Sequence, residues 1–196
     1  TVEAKGGTIA AGTGTANAEA YGIETNVGST NGSKSKLTVA GTTNLQVTAV
    51  AGNPSGEGKV ATSYATAYGI NDYPMNWSGS YDSMDTGAIT ATVTAQAGTV
   101  NTNDSYIDTQ AYGLCANGVV TTGALDLTVT ATGGTVSGTT NNTANTAYAY
   151  TRAEGLFNNN VSTIQINGDT TLNITATGST AAEGGAFSDN DVYAAG

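Results

Sequence analysis

The chain has 196 residues, 10% of them charged, a formal net charge of −10 and no histidine. Leu, Ile, Val and Phe make up about 16%, below the ~20% under which a strongly charged chain struggles to offset its conformational entropy by burying apolar surface. This argues against an enzyme with a thick aliphatic core, and leaves either a disordered tract or a thin core built from repeated units.

Repeated units are what the chain contains. It opens on Thr1-Val2-Glu3-Ala4-Lys5-Gly6-Gly7, a truncated copy of a motif completed further on. A second motif follows, with Ala16, Ala18 and Ala20 alternating with Asn17, Glu19 and Tyr21 up to Gly22-Ile23. The short segment Leu37-Thr38-Val39 comes next, then the first motif in full, Leu45-Gln46-Val47-Thr48-Ala49-Val50-Ala51-Gly52. The tyrosine motif returns at Ala67-Tyr68-Gly69-Ile70, and Asn71 to Asp85 is expected to leave the repeat as a loop. Beyond it stand Val93-Thr94-Ala95-Gln96-Ala97-Gly98, Ala111-Tyr112-Gly113-Leu114, Val119-Val120 and Leu127-Thr128-Val129-Thr130-Ala131. Ala153-Glu154-Gly155-Leu156, Ile164-Gln165-Ile166 and Leu172-Asn173-Ile174-Thr175-Ala176 follow, and the chain stops at Ala194-Ala195-Gly196. The glycines at 22, 69, 113, 155 and 196 lie 47, 44, 42 and 41 residues apart. Disorder does not keep such a register.

Each segment alternates with period two, as strands do. Leu/Ile, Val/Ile and Ala face one way, Thr and Gln the other, and the parity flips across the motif glycine, where a corner is expected. Three strands per repeat, with the same strand of successive repeats stacked ~4.8 Å apart, predict an all-β, single-domain parallel β-solenoid over residues 1–196. It would have about four to five coils rising about 22 Å; two coils of roughly 21 residues per repeat is the alternative. The runs Thr128 to Thr135 and Ala65 to Ile70 resemble the passenger repeats of autotransporter and haemagglutinin-type bacterial surface adhesins. That resemblance spans essentially the whole chain. It implies a right-handed β-helix in an exported protein at a bacterial cell surface, and offers no catalytic motif.

Function follows from what the faces and ends carry. Without histidine no Ser/His or Cys/His nucleophile can be assembled, so no enzyme is expected. Five Lys+Arg without a basic stripe argue against nucleic acid, and no apolar run reaches the ~18–20 residues of a membrane helix. No signal peptide opens the chain, so an exported protein would be processed or a fragment. Lone Cys115 is expected to be buried and inert. Residues 1–59 are neutral in sum, while Arg152 is the only cation against eleven carboxylates thereafter. Such asymmetry suits polar head-to-tail stacking of copies into a surface fibre, with Val2, Ala4 and Lys5 at one end and Asp189, Asp191, Val192 and Tyr193 at the other. The alternative is a stalk or passenger segment of an adhesin that binds glycan or a host surface, with Tyr73, Trp77 and Tyr81 as loop contacts. Asp104, Asp108, Asp189 and Asp191 are the candidate calcium ligands, with no EF-hand spacing behind them. Tyr21, Tyr68 and Tyr112 share an outward column, which reads as a stacking ladder or packed groove. Thr92/Thr94, Thr128/Thr130 and Thr175/Thr177 resemble the outward arrays of ice-binding solenoids, interrupted by Glu3, Lys5, Gln46, Val50 and Gln96, and make ice binding a minor reading.

Overall fold

A computed structural model describes residues 1–8, 14–25, 36–54, 61–72, 83–101, 105–137, 147–158, 162–182 and 186–196. Among them there are strands and no helix. The tyrosine motifs form one sheet of β2 (Gly14–Thr25), β5 (Ala61–Asp72), β9 (Tyr106–Ala116), β13 (Ala147–Asn158) and β17 (Phe187–Ala195), in that spatial order. The Leu-x-Val-x-Ala motifs form a second sheet of β1 (Val2–Lys5), β4 (Thr43–Val50), β7 (Ile89–Gln96), β11 (Leu125–Thr132) and β15 (Thr170–Thr177). These are called the tyrosine sheet and the threonine sheet below. The short segments align as β3 (Lys36–Val39), β6 (Ser83–Thr86), β10 (Val119–Thr122) and β14 (Thr163–Ile166). A further sheet joins β8 (Thr99–Val100), β12 (Thr135–Val136) and β16 (Thr180–Ala181).

Every pairing is parallel and joins a strand to its counterpart one full repeat away, as in Tyr21↔Tyr68↔Tyr112 and Val47↔Val93↔Val129↔Ile174. Alternation decides which side chains meet. Ala20, Ala67, Ala111 and Ala153 of the tyrosine sheet share one apolar cluster with Val47, Val93 and Val129 of the threonine sheet. Ile70 and Leu114 lie in the same cluster, so the alanine and the aliphatic residue three positions on both face inward, as the parity flip requires. Small side chains suffice because the sheets approach closely and the backbone is satisfied by its neighbours along the ladder.

Three expectations are corrected. The motif glycines are not chosen for an unusual backbone angle: the one glycine with positive φ among the described residues is Gly41, at 89°. They are chosen for space, because a Cβ on Gly69 would stand 2.5 Å from the carbonyl oxygen of Gly113 and 2.8 Å from Val93 Cγ2. Gly22 meets the Gly69 oxygen and Gly113 the Gly155 oxygen in the same way, at 2.5 and 2.6 Å. Next, the segment Asn71 to Asp85 is not wholly a loop. β5 runs through Asp72, and Ser83–Thr86 is the short strand β6, with Met84 1% exposed in the core. Finally, among the described residues three of the repeats hold a further short strand, β8, β12 or β16, beyond the three expected. Val100 and Val136 of these strands pack with Ala97, Ile107, Ala147 and Ala149 in a second cluster.

Candidate functional surfaces

Eight of the ten tyrosines stand on the five strands of the tyrosine sheet. Alternation puts them outward, and parallel in-register pairing then stacks identical positions one above another. The rings of Tyr21 and Tyr68 lie 5.1 Å apart and within 6° of parallel; those of Tyr68 and Tyr112 lie 4.9 Å apart at 11°. This is the ladder expected from the repeat. Its far end closes on Phe157, edge-on to Tyr112 at 5.8 Å. Arg152 seals that end, its guanidinium 5.5 Å from the Tyr112 ring, 5.2 Å from Phe157 and 5.5 Å from Tyr193. The same guanidinium pairs with Glu154 at 2.6 Å. Cation–π contact and a half-buried ion pair thus join residues of three successive repeats.

Hydrogen bonds run sideways across the same face. The Tyr112 hydroxyl donates to Gln110 Oε1 at 2.5 Å, and Gln110 Nε2 donates to both oxygens of Asp108 at 2.8 and 2.9 Å. Near the β2 edge, the Tyr21 hydroxyl and Asn17 Nδ2 both donate to Glu19. Burial, then the Glu19 charge, pushes the Tyr21 phenol up to about 12. Burial raises the phenols of Tyr68 and Tyr112 as well. Cys115 is buried, and its thiol is pushed up to about 12 by burial and then by Asp72 and Glu154, which leaves it protonated and unreactive.

The threonine sheet presents a plainer surface. Its outward register reads Glu3↔Thr48↔Thr94↔Thr130↔Thr175 in one column and Lys5↔Val50↔Gln96↔Thr132↔Thr177 in the next. Thr92 and Thr128 align with Gln46 and Asn173. The paired array expected from the sequence is therefore out of step by one position in the last repeat. A single column of four threonines runs unbroken, flanked by mixed ones.

The expected site residues are scattered. Asp104, Tyr73, Trp77 and Tyr81 lie outside the described residues. Asp108 is buried on β9, whereas Asp189 and Asp191 are exposed on β17. Asp108 and Asp191 share a column but Tyr150 stands between them. No group of three or more His, Cys, Asp or Glu is placed to hold a metal ion among the described residues. Val2, Ala4 and Lys5 lie on β1, the edge strand of the threonine sheet, and Asp189, Asp191, Val192 and Tyr193 on β17, the edge strand of the tyrosine sheet. β1 packs beside β2 and β17 beside β15, so the two groups occupy opposite ends of the sheets. Val192 and Tyr193 are 50% and 48% exposed. Lys5 is already engaged with Glu3 at 2.8 Å and Lys36 with Asp85 at 3.1 Å, and neither Asp189 nor Asp191 takes part in an ion pair among the described residues. Arg152 and Glu154 went unnoticed as a unit, although their spacing of two on one strand was a readable signal for same-face contact. Family models, curated proteins and solved structures were all compared with the chain, and none matches.

Proposed function

We propose that the chain is a non-enzymatic structural protein of a bacterial cell surface, a right-handed parallel β-solenoid of four to five coils that lengthens by stacking head to tail on copies of itself. The observation that carries this reading is the state of the two end layers. Ala194 continues the inward column of Ala20, Ala67, Ala111 and Ala153, which are all buried, yet Ala194 itself is exposed. Ile174 and Ala176 continue the columns of Val47 and Ala49 and are likewise less buried than their counterparts. Extending the two five-stranded ladders by one step sets Ala20 of a second copy on Ala194, Val2 on Ile174 and Ala4 on Ala176, while the four-stranded ladder of β3, β6, β10 and β14 is one strand short at the joint. All three matches are apolar and inward. An open parallel edge with matching inward columns is a template for strand addition. Charge attraction contributes less than the sequence implied, since the described lysines at the β1–β3 end already have carboxylate partners.

Sedimentation and negative-stain microscopy of the chain over a range of concentrations test the proposal. End-to-end filaments are expected, and Ala194→Glu, which places a charge in the joint without touching the interior of one copy, should abolish them. A chain that stays monomeric at every concentration and salt level rejects self-stacking. The same edges would then be continued by further repeats of a longer polypeptide, as in an adhesin stalk.

A further inference from the structure

The outer face of the tyrosine sheet holds a carboxylate that no cation among the described residues answers. Asp108 is 6% exposed. Its neighbours along the column are Tyr64 on β5 and Tyr150 on β13. Tyr106, two residues earlier on the same face, pairs with Tyr148. Gln110 and the Tyr106 phenol hydrogen-bond to the carboxylate, and both are neutral donors. Burial nonetheless holds the Asp108 carboxyl above its ordinary range, against those two hydrogen bonds. Arg152 is the only cation on the five strands, and it is committed to Glu154.

Buried carboxylates are ordinarily balanced by a cation or a metal. The rings around this one are suited to supply the rest of a cation site. Among the described residues, ring–ring contacts of the sheet are confined to Tyr21, Tyr68, Tyr112 and Phe157, and the one cation–ring cluster is that of Arg152, so Tyr64, Tyr106, Tyr148 and Tyr150 take part in neither. Tyr106 and Tyr148 are 39% and 50% exposed. Tyrosine faces attract cations, and they do so more strongly where water is excluded. The hydrogen-bonding capacity of Asp108 is already partly taken, so what the site offers is negative charge and ring faces. That favours a cation which makes no hydrogen bonds of its own over a primary ammonium that needs several acceptors.

We propose that Tyr64, Tyr106, Tyr148 and Tyr150, arranged around Asp108, bind a quaternary alkylammonium ion, with a trimethylammonium group of the choline type as the ligand. The probe is choline chloride, titrated calorimetrically into the chain against sodium chloride of equal ionic strength. Saturable binding is expected, with 3,3-dimethylbutanol, the uncharged isostere, weaker by roughly tenfold or more. Asp108→Asn should weaken choline binding by a similar factor. Tyr148→Ala does the same test at a half-exposed position, and so stands if Asp108→Asn fails to fold. Capture on phosphatidylcholine vesicles but not phosphatidylglycerol vesicles identifies a lipid headgroup as the source, and binding of choline alone identifies a soluble one. The proposal is overturned if neither choline nor vesicles bind, if the uncharged isostere binds as well as choline, or if Tyr148→Ala leaves the affinity unchanged.

Discussion

The inward columns of both sheets are made of small or aliphatic side chains, Val, Leu, Ile and Ala on the threonine sheet and mostly Ala with buried Ser63, Thr109 and Thr151 on the tyrosine sheet, but their outward columns differ more sharply. On the threonine sheet one column reads Glu3, Thr48, Thr94, Thr130, Thr175. On the tyrosine sheet the column through Arg152 reads Glu19, Thr66, Gln110, Arg152, Tyr193, a different residue at every step. The inward pattern is what the scaffold requires. Short β-branched side chains cover the outside of a sheet adequately, so the varied, aromatic and partly buried outer layer of the tyrosine sheet exceeds what folding demands. It couples neighbouring repeats through ring and cation contacts, where the outer side of the threonine sheet has, among the described residues, only a long exposed hydrogen bond from Thr1 to Gln46 between repeats.

The largest effect should come from what the two sheets share. Gly69→Ala drives a Cβ against the Gly113 carbonyl and Val93 and is expected to cost about 3 kcal/mol in denaturant unfolding. A loss no greater than that of an exposed substitution would mean that the sheets can part without penalty. The second test separates the faces. Tyr68→Ala removes a ring stacked on both sides and should destabilise by about 2 kcal/mol, with Tyr68→Phe close to neutral. Thr130→Ala, on the opposite face, should stay within about 0.5 kcal/mol. Equal losses at the two positions would erase the distinction between the sheets.

The smallest effect is a change with pH. The Tyr21 phenol, ordinarily ionising near 10, is held up to about 12 in the folded chain. The unfolded chain therefore releases that proton first. The contribution to stability is complete below pH 10 and disappears as pH rises through about 12. Ultraviolet titration of the phenols should show ionisation delayed beyond pH 10 in the native protein. An ordinary curve would mean that the ladder is open to water.

Much of this was legible in the residues themselves. The tyrosine ladder could be read because three copies of Ala-Tyr-Gly recur with one parity, and stacking is then forced by any in-register pairing. β6 escaped notice because Ser83-Met84-Asp85-Thr86 carries a single apolar residue, too little to show a period. β8, β12 and β16 escaped because two residues cannot display alternation at all, although the Thr-Val after Gly98 and Gly134 was a trace of the first two. The Arg152 cluster was legible only in part: the motif glycines align Gln110, Arg152 and Tyr193, but which of the neighbouring rings the guanidinium lies against depends on side-chain packing across three repeats.

Period-two alternation and the recurring glycines, both local properties of the chain, determined that this protein is built of β-strands, which side chains face inward, and where the sheets approach too closely for a Cβ. How many residues each repeat places between its paired strands was decided only by the tertiary structure. Ile89 pairs with Leu125 whereas Leu125 pairs with Thr170, so successive repeats absorb different numbers of residues between their strands. Backbone hydrogen bonding between repeats, not spacing along the chain, settles which outward residues become neighbours. For that reason the threonine array fell out of step, and a buried carboxylate came to lie among four tyrosines.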